Sequence, residues 1–265
     1  MTFAFNLSLA GYFAALLLAA ANLFSSQQRR LAQATAWLLA AGAVAQTAYM
    51  ILRWAAAGRA PFSDMFESLV LFAWSVVVVY LGLQVRREIP VLGAAAALLA
   101  VLTLAYASTF ESEIKPLMPA LRSNWLTVHV FTCFLGYGGA AVAFLSSLSY
   151  LVATRPGVQA RAAIVEALEL ATDKSISFGF LFLTVGIISG AVWANSAWGT
   201  YWSWDPKETW SLITWFVYAV FLHCRFMRGW RGQRAAWISI IGFVSVVFTY
   251  FGVNYLLSGL HSYAQ

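Results

Sequence analysis

Histidine and tryptophan are the residues of this chain that could do chemistry. The sequence has 3 His and 12 Trp. Trp193, Trp198, Trp202, Trp204 and Trp210, together with Tyr201, crowd into the single stretch Trp193–Trp210. An interfacial aromatic belt places one or two Trp at a helix end. A segment built largely of them is better explained as a binding platform. Flat aromatic surface suits a large, flat, apolar ligand, and quinones, porphyrins and lipid-linked substrates all meet that description. Neutral imidazole is a common metal ligand and a common axial ligand of haem iron. No zinc spacing, glycine-rich phosphate loop or serine-nucleophile elbow is present, and no residue is assigned a catalytic role.

The elements that must position these residues are membrane helices. The chain has 265 residues, is 62% hydrophobic and only 10% charged. A soluble globule of that size cannot hide so much apolar surface, and a disordered chain is excluded on the same grounds. A spanning helix needs about 20 mostly apolar residues. That criterion predicts eight spans: Phe5–Phe24, Leu31–Ala57, Phe66–Val85, Val91–Ser108, Trp125–Ala153, Ile176–Ala194, Pro206–Phe226 and Ala235–Leu257. The alternating charges of Val158–Ala171 predict a separate interfacial helix. The expected fold is therefore an all-α, polytopic membrane helix bundle, with 1–265 as one domain.

The formal charge of +6 reads as a topology signal, not as a nucleic-acid signal. Arg29, Arg30, Arg86, Arg87, Arg155, Arg161, Lys174, Arg225, Arg228, Arg231 and Arg234 fall on one side of the predicted bundle. Only Arg53, Arg59, Lys115, Arg122 and Lys207 fall on the other. The positive-inside rule makes the first side the inner one and puts both termini outside. The tryptophan segment, with its connection Asn195–Asp205, then faces outward. Asp205, Pro206 and Glu208 read as N-cap, first helical residue and capping-box partner of the seventh span. Trp198 and Trp202, four residues apart, would share a face in any helical turn.

In this topology His129 lies one turn below Trp125 at the outer end of the fifth span, and His261 lies just beyond the eighth. Both share the level of the tryptophans. A macrocycle takes one ligand on each face, and His129 with His261 can supply that pair. His223, seventeen residues after Pro206, sits roughly 25 Å further down, near the inner face. No other His lies at its depth. Cys133 and Cys224 sit near opposite faces, too far apart for a disulfide, and read as packing residues.

The stretch Trp198-Gly-Thr-Tyr-Trp202-Ser-Trp204-Asp205-Pro206-Lys207-Glu208-Thr-Trp210-Ser-Leu-Ile-Thr-Trp215 resembles the tryptophan-rich "WWD" signature of haem-handling proteins in cytochrome c maturation. Its Asp-Pro-Lys-Glu-Thr-Trp part is more similar to the CcsA (ResC) family than to the CcmC branch. Gly58-Arg-Ala-Pro61-Phe-Ser-Asp-Met-Phe66-Glu67, Trp125-Leu-Thr-Val-His129 and Asn254-Tyr-Leu-Leu-Ser-Gly259-Leu-His261 resemble further segments of that family. The resemblance implies a bacterial inner-membrane protein that carries haem b to a periplasmic site at 195–210, built from Trp198, Trp202, Trp204, Asp205 and Trp210. It implies iron ligation by His129 and His261, and a second haem position at His223. It also implies a CcsB (ResB)-like partner, apocytochrome c as acceptor, and a place in a holocytochrome c synthase (haem lyase). Thioether bonds form there between the cytochrome's thiols and the haem's vinyl groups. Two alternatives accompany it: a HemX-like regulator of haem biosynthesis, and a quinone or lipid-linked substrate transporter.

Overall fold

The computed structural model describes residues 1–23, 28–83, 89–118, 121–158 and 160–257. His261 lies outside the described residues. The described chain is helical: α1 (Thr2–Asn22), α2 (Gln28–Ala57), α3 (Met65–Leu83), α4 (Pro90–Ala107), α5 (Asn124–Ala153), α6 (Ala162–Trp198), α7 (Pro206–Phe226) and α8 (Gln233–Val247). A π-helical turn, Phe248–Gly252, and the short α9 (Val253–Leu256) follow. Among the described residues, 7 helices are long and apolar enough to cross a membrane. α7 carries Lys207, Glu208 and Arg225; it has the length but is less apolar.

Three expectations are corrected. The stretch Val158–Ala171 is not a separate interfacial helix, because residues from Ala162 onward belong to the 37-residue α6. Pro156-Gly157 breaks the chain before it, and no proline follows until Pro206. At about 1.5 Å per residue α6 is roughly 55 Å long, well beyond the ~30 Å hydrocarbon core of a bilayer. Its far end also carries Trp193 to Trp198 as helix, so the connection to α7 is shorter than Asn195–Asp205. Gly199, at φ +79°, stops the helix in the left-handed conformation that glycine adopts without a Cβ clash. Trp198 is thus the last helical residue and Trp202 lies in the following turn, so the two share no helix face.

The chain divides into two compact units. The first comprises Met1–Pro116 with Arg161–Leu168. In it Gly11 of α1 meets Gly42 of α2, where an added Cβ would lie 3.1 Å from the facing Cα. Gln46 of α2 accepts from the Tyr12 hydroxyl of α1 and donates to the Val70 carbonyl of α3 at 2.8 Å, tying three helices together. The Gly58–Glu67 segment ends in a buried ion cluster. Glu67 accepts from Arg53 Nε at 2.8 Å and from Arg59 Nη1 at 2.9 Å. Arg53 Nη1 also donates to the Ser112 carbonyl at 2.7 Å, which pins the segment after α4.

The second unit comprises Leu117–Ala160 with Glu169–Gln265. Its axis is a glycine seam between α5 and α6. A Cβ on Gly139 would lie 2.8 Å from the Gly179 Cα, and one on Gly136 3.0 Å from the Leu183 nitrogen. Those are backbone contacts that cannot yield, so the two helices touch only because both lack side chains there. Small residues serve this purpose in membrane bundles, where apolar burial alone does not drive helices together.

The Glu67 side chain is 0% exposed and Arg53 4%. Removing one member of such a buried pair strands the other's charge. Glu67→Ala is expected to lower stability by about 3 kcal/mol or more. Thermal unfolding of the purified protein in detergent measures this, and an unchanged midpoint would contradict the cluster's role.

A candidate imidazole and tryptophan site

His129 and the predicted tryptophans lie in the second unit, on α5, α6, α7 and the segment between α6 and α7. Ser123 caps α5 by accepting from the Trp125 N–H at 3.2 Å, which starts the helix one turn before His129. His129 Nδ1 lies 2.7 Å from the Gly186 carbonyl of α6. A carbonyl only accepts, so Nδ1 carries the proton, and in the neutral ring Nε2 carries the lone pair. That is the arrangement in which a backbone carbonyl orients an imidazole and raises its basicity toward a metal. Gly190, one turn along α6, leaves room for the ring, since a Cβ there would lie 2.5 Å from Nδ1. Trp193, the next turn, stacks on the imidazole at 6.1 Å and 13°. Trp193 is itself 1% exposed.

The aromatic cluster continues from Trp193. Trp198 meets it edge-on at 4.7 Å, and Trp202 meets Trp204 edge-on at 5.8 Å. Trp204 is exposed and held at φ +59°, a conformation uncommon outside glycine. Trp210 lies one turn into α7 and packs on Phe248 of the π turn at 4.2 Å. The expected capping box is present. Asp205 Oδ2 accepts from the Lys207 N–H at 3.0 Å, and Glu208 Oε2 accepts from the Asp205 N–H at 3.2 Å. Glu208 also accepts from the Ser203 N–H at 2.8 Å, which locks the turn carrying Trp202 and Trp204. Glu208 therefore ties the tryptophan turn to α7, and Asp205 caps the helix at that junction.

Cys133 is a buried free thiol with Sγ 3.6 Å from His129 Nδ1, and Cys224 is also free, as packing roles require. His223 is separate from this site. It lies in the last turn of α7 and is exposed. Arg225, two residues on and so on the opposite face, is held by Asp173 at 2.6 Å and by Glu169 at 3.6 Å. Sequence reasoning missed Gly186, Gly190 and Trp193 as partners of His129. Their spacing along one face of α6 was visible, but the pairing of that face with α5 was not.

Fold and site together define a polytopic membrane protein that holds an oriented imidazole beside a tryptophan cluster within a helix bundle. A family-level sequence match, described as "Cytochrome C assembly protein", spans residues 62–261. The cytochrome c biogenesis protein CcsA of Synechococcus sp. (strain CC9902) is 40% identical, covering 85% of this chain and 85% of that protein. CcsA of Prochlorococcus marinus (strain MIT 9303) is also 40% identical, covering 85% of this chain and 82% of that protein. Accordingly, the chain belongs to the CcsA family of cytochrome c biogenesis proteins. The solved structure of the cytochrome c heme lyase CcmF shares the fold, with a TM-score of 0.67 over 94% of this chain at 19% identity. This chain spans 46% of that longer one.

Loss of an Asp N-cap costs about 1 kcal/mol. Asp205→Ala is expected to lower the thermal midpoint and shift the tryptophan fluorescence, while Asp205→Asn, which still accepts, restores both. Equal behaviour of the two variants would contradict the capping role.

Proposed function

We propose that this chain handles haem b in cytochrome c maturation, receiving it on the inner side of the bacterial inner membrane and presenting it at the outward tryptophan site. The whole chain, 1–265, acts as one assembly domain, with 195–210 as its haem-binding segment and both termini outside. The observation that carries this reading is His129, whose Nδ1–H is committed to Gly186 at 2.7 Å so that Nε2 is the ligating atom. His261 supplies the second axial ligand. Trp198, Trp202, Trp204 and Trp210 bound the flat face of the ring, and Asp205 caps α7 at the junction with their turn. The residues suit a porphyrin better than a quinone or a lipid-linked substrate, neither of which uses a paired imidazole. The named CcsA relatives lend no support to the HemX-like alternative.

The chemistry asks little else of this chain. Thioether formation adds a cytochrome thiol across a haem vinyl group: the S–C bond forms, the C=C π bond breaks, and the thiol proton ends on the neighbouring carbon. The reacting groups belong to haem and to apocytochrome c, so the chain supplies position and a defined iron environment. His223, exposed at the other end of α7, takes its opposing ligand from a CcsB-like partner subunit. The holocytochrome c synthase is then the complex of the two.

Haem-loaded wild type and single His129→Ala and His261→Ala variants, compared by absorption spectroscopy, test the outer site. Each substitution is expected to shift the iron from a six-coordinate to a five-coordinate spectrum. Unchanged spectra in both would sink the assignment. His223→Ala is expected to abolish cytochrome c maturation in cells while leaving the outer-site spectrum intact, and normal maturation would reject its role.

A further inference from the structure

Arg53, Arg59 and Lys115 each have a protein carboxylate: Glu67 serves both arginines, and Glu111 serves Lys115 at 2.6 Å. Lys207 differs. It is part-buried in the first turn of α7, and among the described residues its ammonium forms no ion pair. Its Nζ donates instead to the neutral Asn254 Oδ1 at 2.9 Å. The two carboxylates nearest in sequence are occupied by the cap, Asp205 by the Lys207 backbone and Glu208 by the backbones of Ser203 and Asp205. An ammonium withdrawn from water without a direct ion pair is costly; Asp205 favours its charge from beyond ion-pair distance, and a ligand carboxylate in direct contact would offset more of that cost.

Lys207 lies in the same compact unit as His129. Asn254 Nδ2 donates to the Tyr250 carbonyl at 2.7 Å, and the Tyr250 ring meets Phe134 at 5.6 Å. Phe134 adjoins Cys133, whose thiol touches His129. Lys207 is also near enough to Cys133 to interact with it electrostatically. A second, independent observation points the same way. Among the described residues, Trp202 Nε1 is a buried donor with no hydrogen-bond acceptor; the buried Ser175, Tyr218 and Ser239 hydroxyls are in the same state. Trp202 rides on the turn that Glu208 holds through the Ser203 N–H. Buried indole N–H groups ordinarily find an acceptor.

We propose that Lys207 Nζ, displacing Asn254 Oδ1, receives a propionate carboxylate of the porphyrin ligated by His129, with the Trp202 indole N–H as a second donor to the carboxylate side of the ring. This rests on the haem reading of the site and adds to it the group that fixes the ring's in-plane orientation. Lys207 is a binding residue here; Asn254 holds its ammonium in place until the ligand arrives.

The test titrates the purified full chain in detergent with iron protoporphyrin IX and with its dimethyl ester, which keeps ring, iron and vinyl groups but lacks free carboxylates. Wild type should bind the diacid tighter than the ester by about tenfold or more, the worth of one charge-assisted hydrogen bond. Lys207→Gln should remove that preference by weakening the diacid, and Lys207→Arg should retain it. Equal affinities in wild type, or a preference that survives in Lys207→Gln, overturn the assignment and leave the haem reading standing. A Lys207→Gln variant that weakens both ligands equally also overturns it, in favour of a structural tie to Asn254. Failure of wild type to bind either porphyrin overturns the haem reading and this assignment with it.

Discussion

The contact on which the site depends is the glycine seam between α5 and α6. Gly136 and Gly139 meet Gly179 at backbone distance, and no side chain larger than hydrogen fits there. That approach continues along the pair to Gly186 and Gly190, where α6 offers a carbonyl and a gap in place of a side chain. The His129 ring fills the gap and donates to the carbonyl. A wider spacing of the two helices would lose the hydrogen bond, the tautomer it fixes and the stack on Trp193 together. An imidazole's suitability as a ligand thus follows from three small residues on the opposite helix.

Most of the remaining polar groups obey the constraint that a membrane bundle must satisfy its polar atoms internally. Glu67 gathers both arginines of the first unit, and Arg225 is enclosed by Asp173 and Glu169. Hydroxyls on the helices largely bond back to their own carbonyls, as Ser146 does to Val142 and Thr214 to Trp210. Among the described residues, Lys207 forms no ion pair, and Trp202 Nε1 lacks an acceptor, as the buried Ser175, Tyr218 and Ser239 hydroxyls lack partners. Trp202 lies on the turn that also displays Trp204, Lys207 lies in the first turn of α7 just after it, and the Asp205–Glu208 cap joins the two.

Much of this was legible in the sequence because the bilayer imposes a length on each helix and water imposes caps on their ends. Apolar runs of about 20 residues found the helices. Asp205-Pro206-Lys207-Glu208 announced a helix start with its reciprocal hydrogen bonds, and the structure has them. Continuity was less legible: composition suggested a break before Ile176 that the backbone had no reason to make, so α6 runs from Ala162 through Trp198. Partnership was the least legible. His129 was singled out as an imidazole at the right level, yet its carbonyl, its glycine gap and its stacked tryptophan come from residues about 60 positions away. Periodicity places residues on a face and leaves open which face they meet.

The central claim is that His129 Nε2 ligates iron beside the tryptophan cluster. The most direct measurement replaces the ligand without replacing the protein: haem-loaded His129→Gly, recorded by absorption and electron paramagnetic resonance with and without added imidazole. The account predicts that the variant loses the low-spin, six-coordinate signature and that free imidazole, entering the space left by the ring, restores it. A His129→Gly protein that retains the wild-type signature without imidazole would contradict the claim.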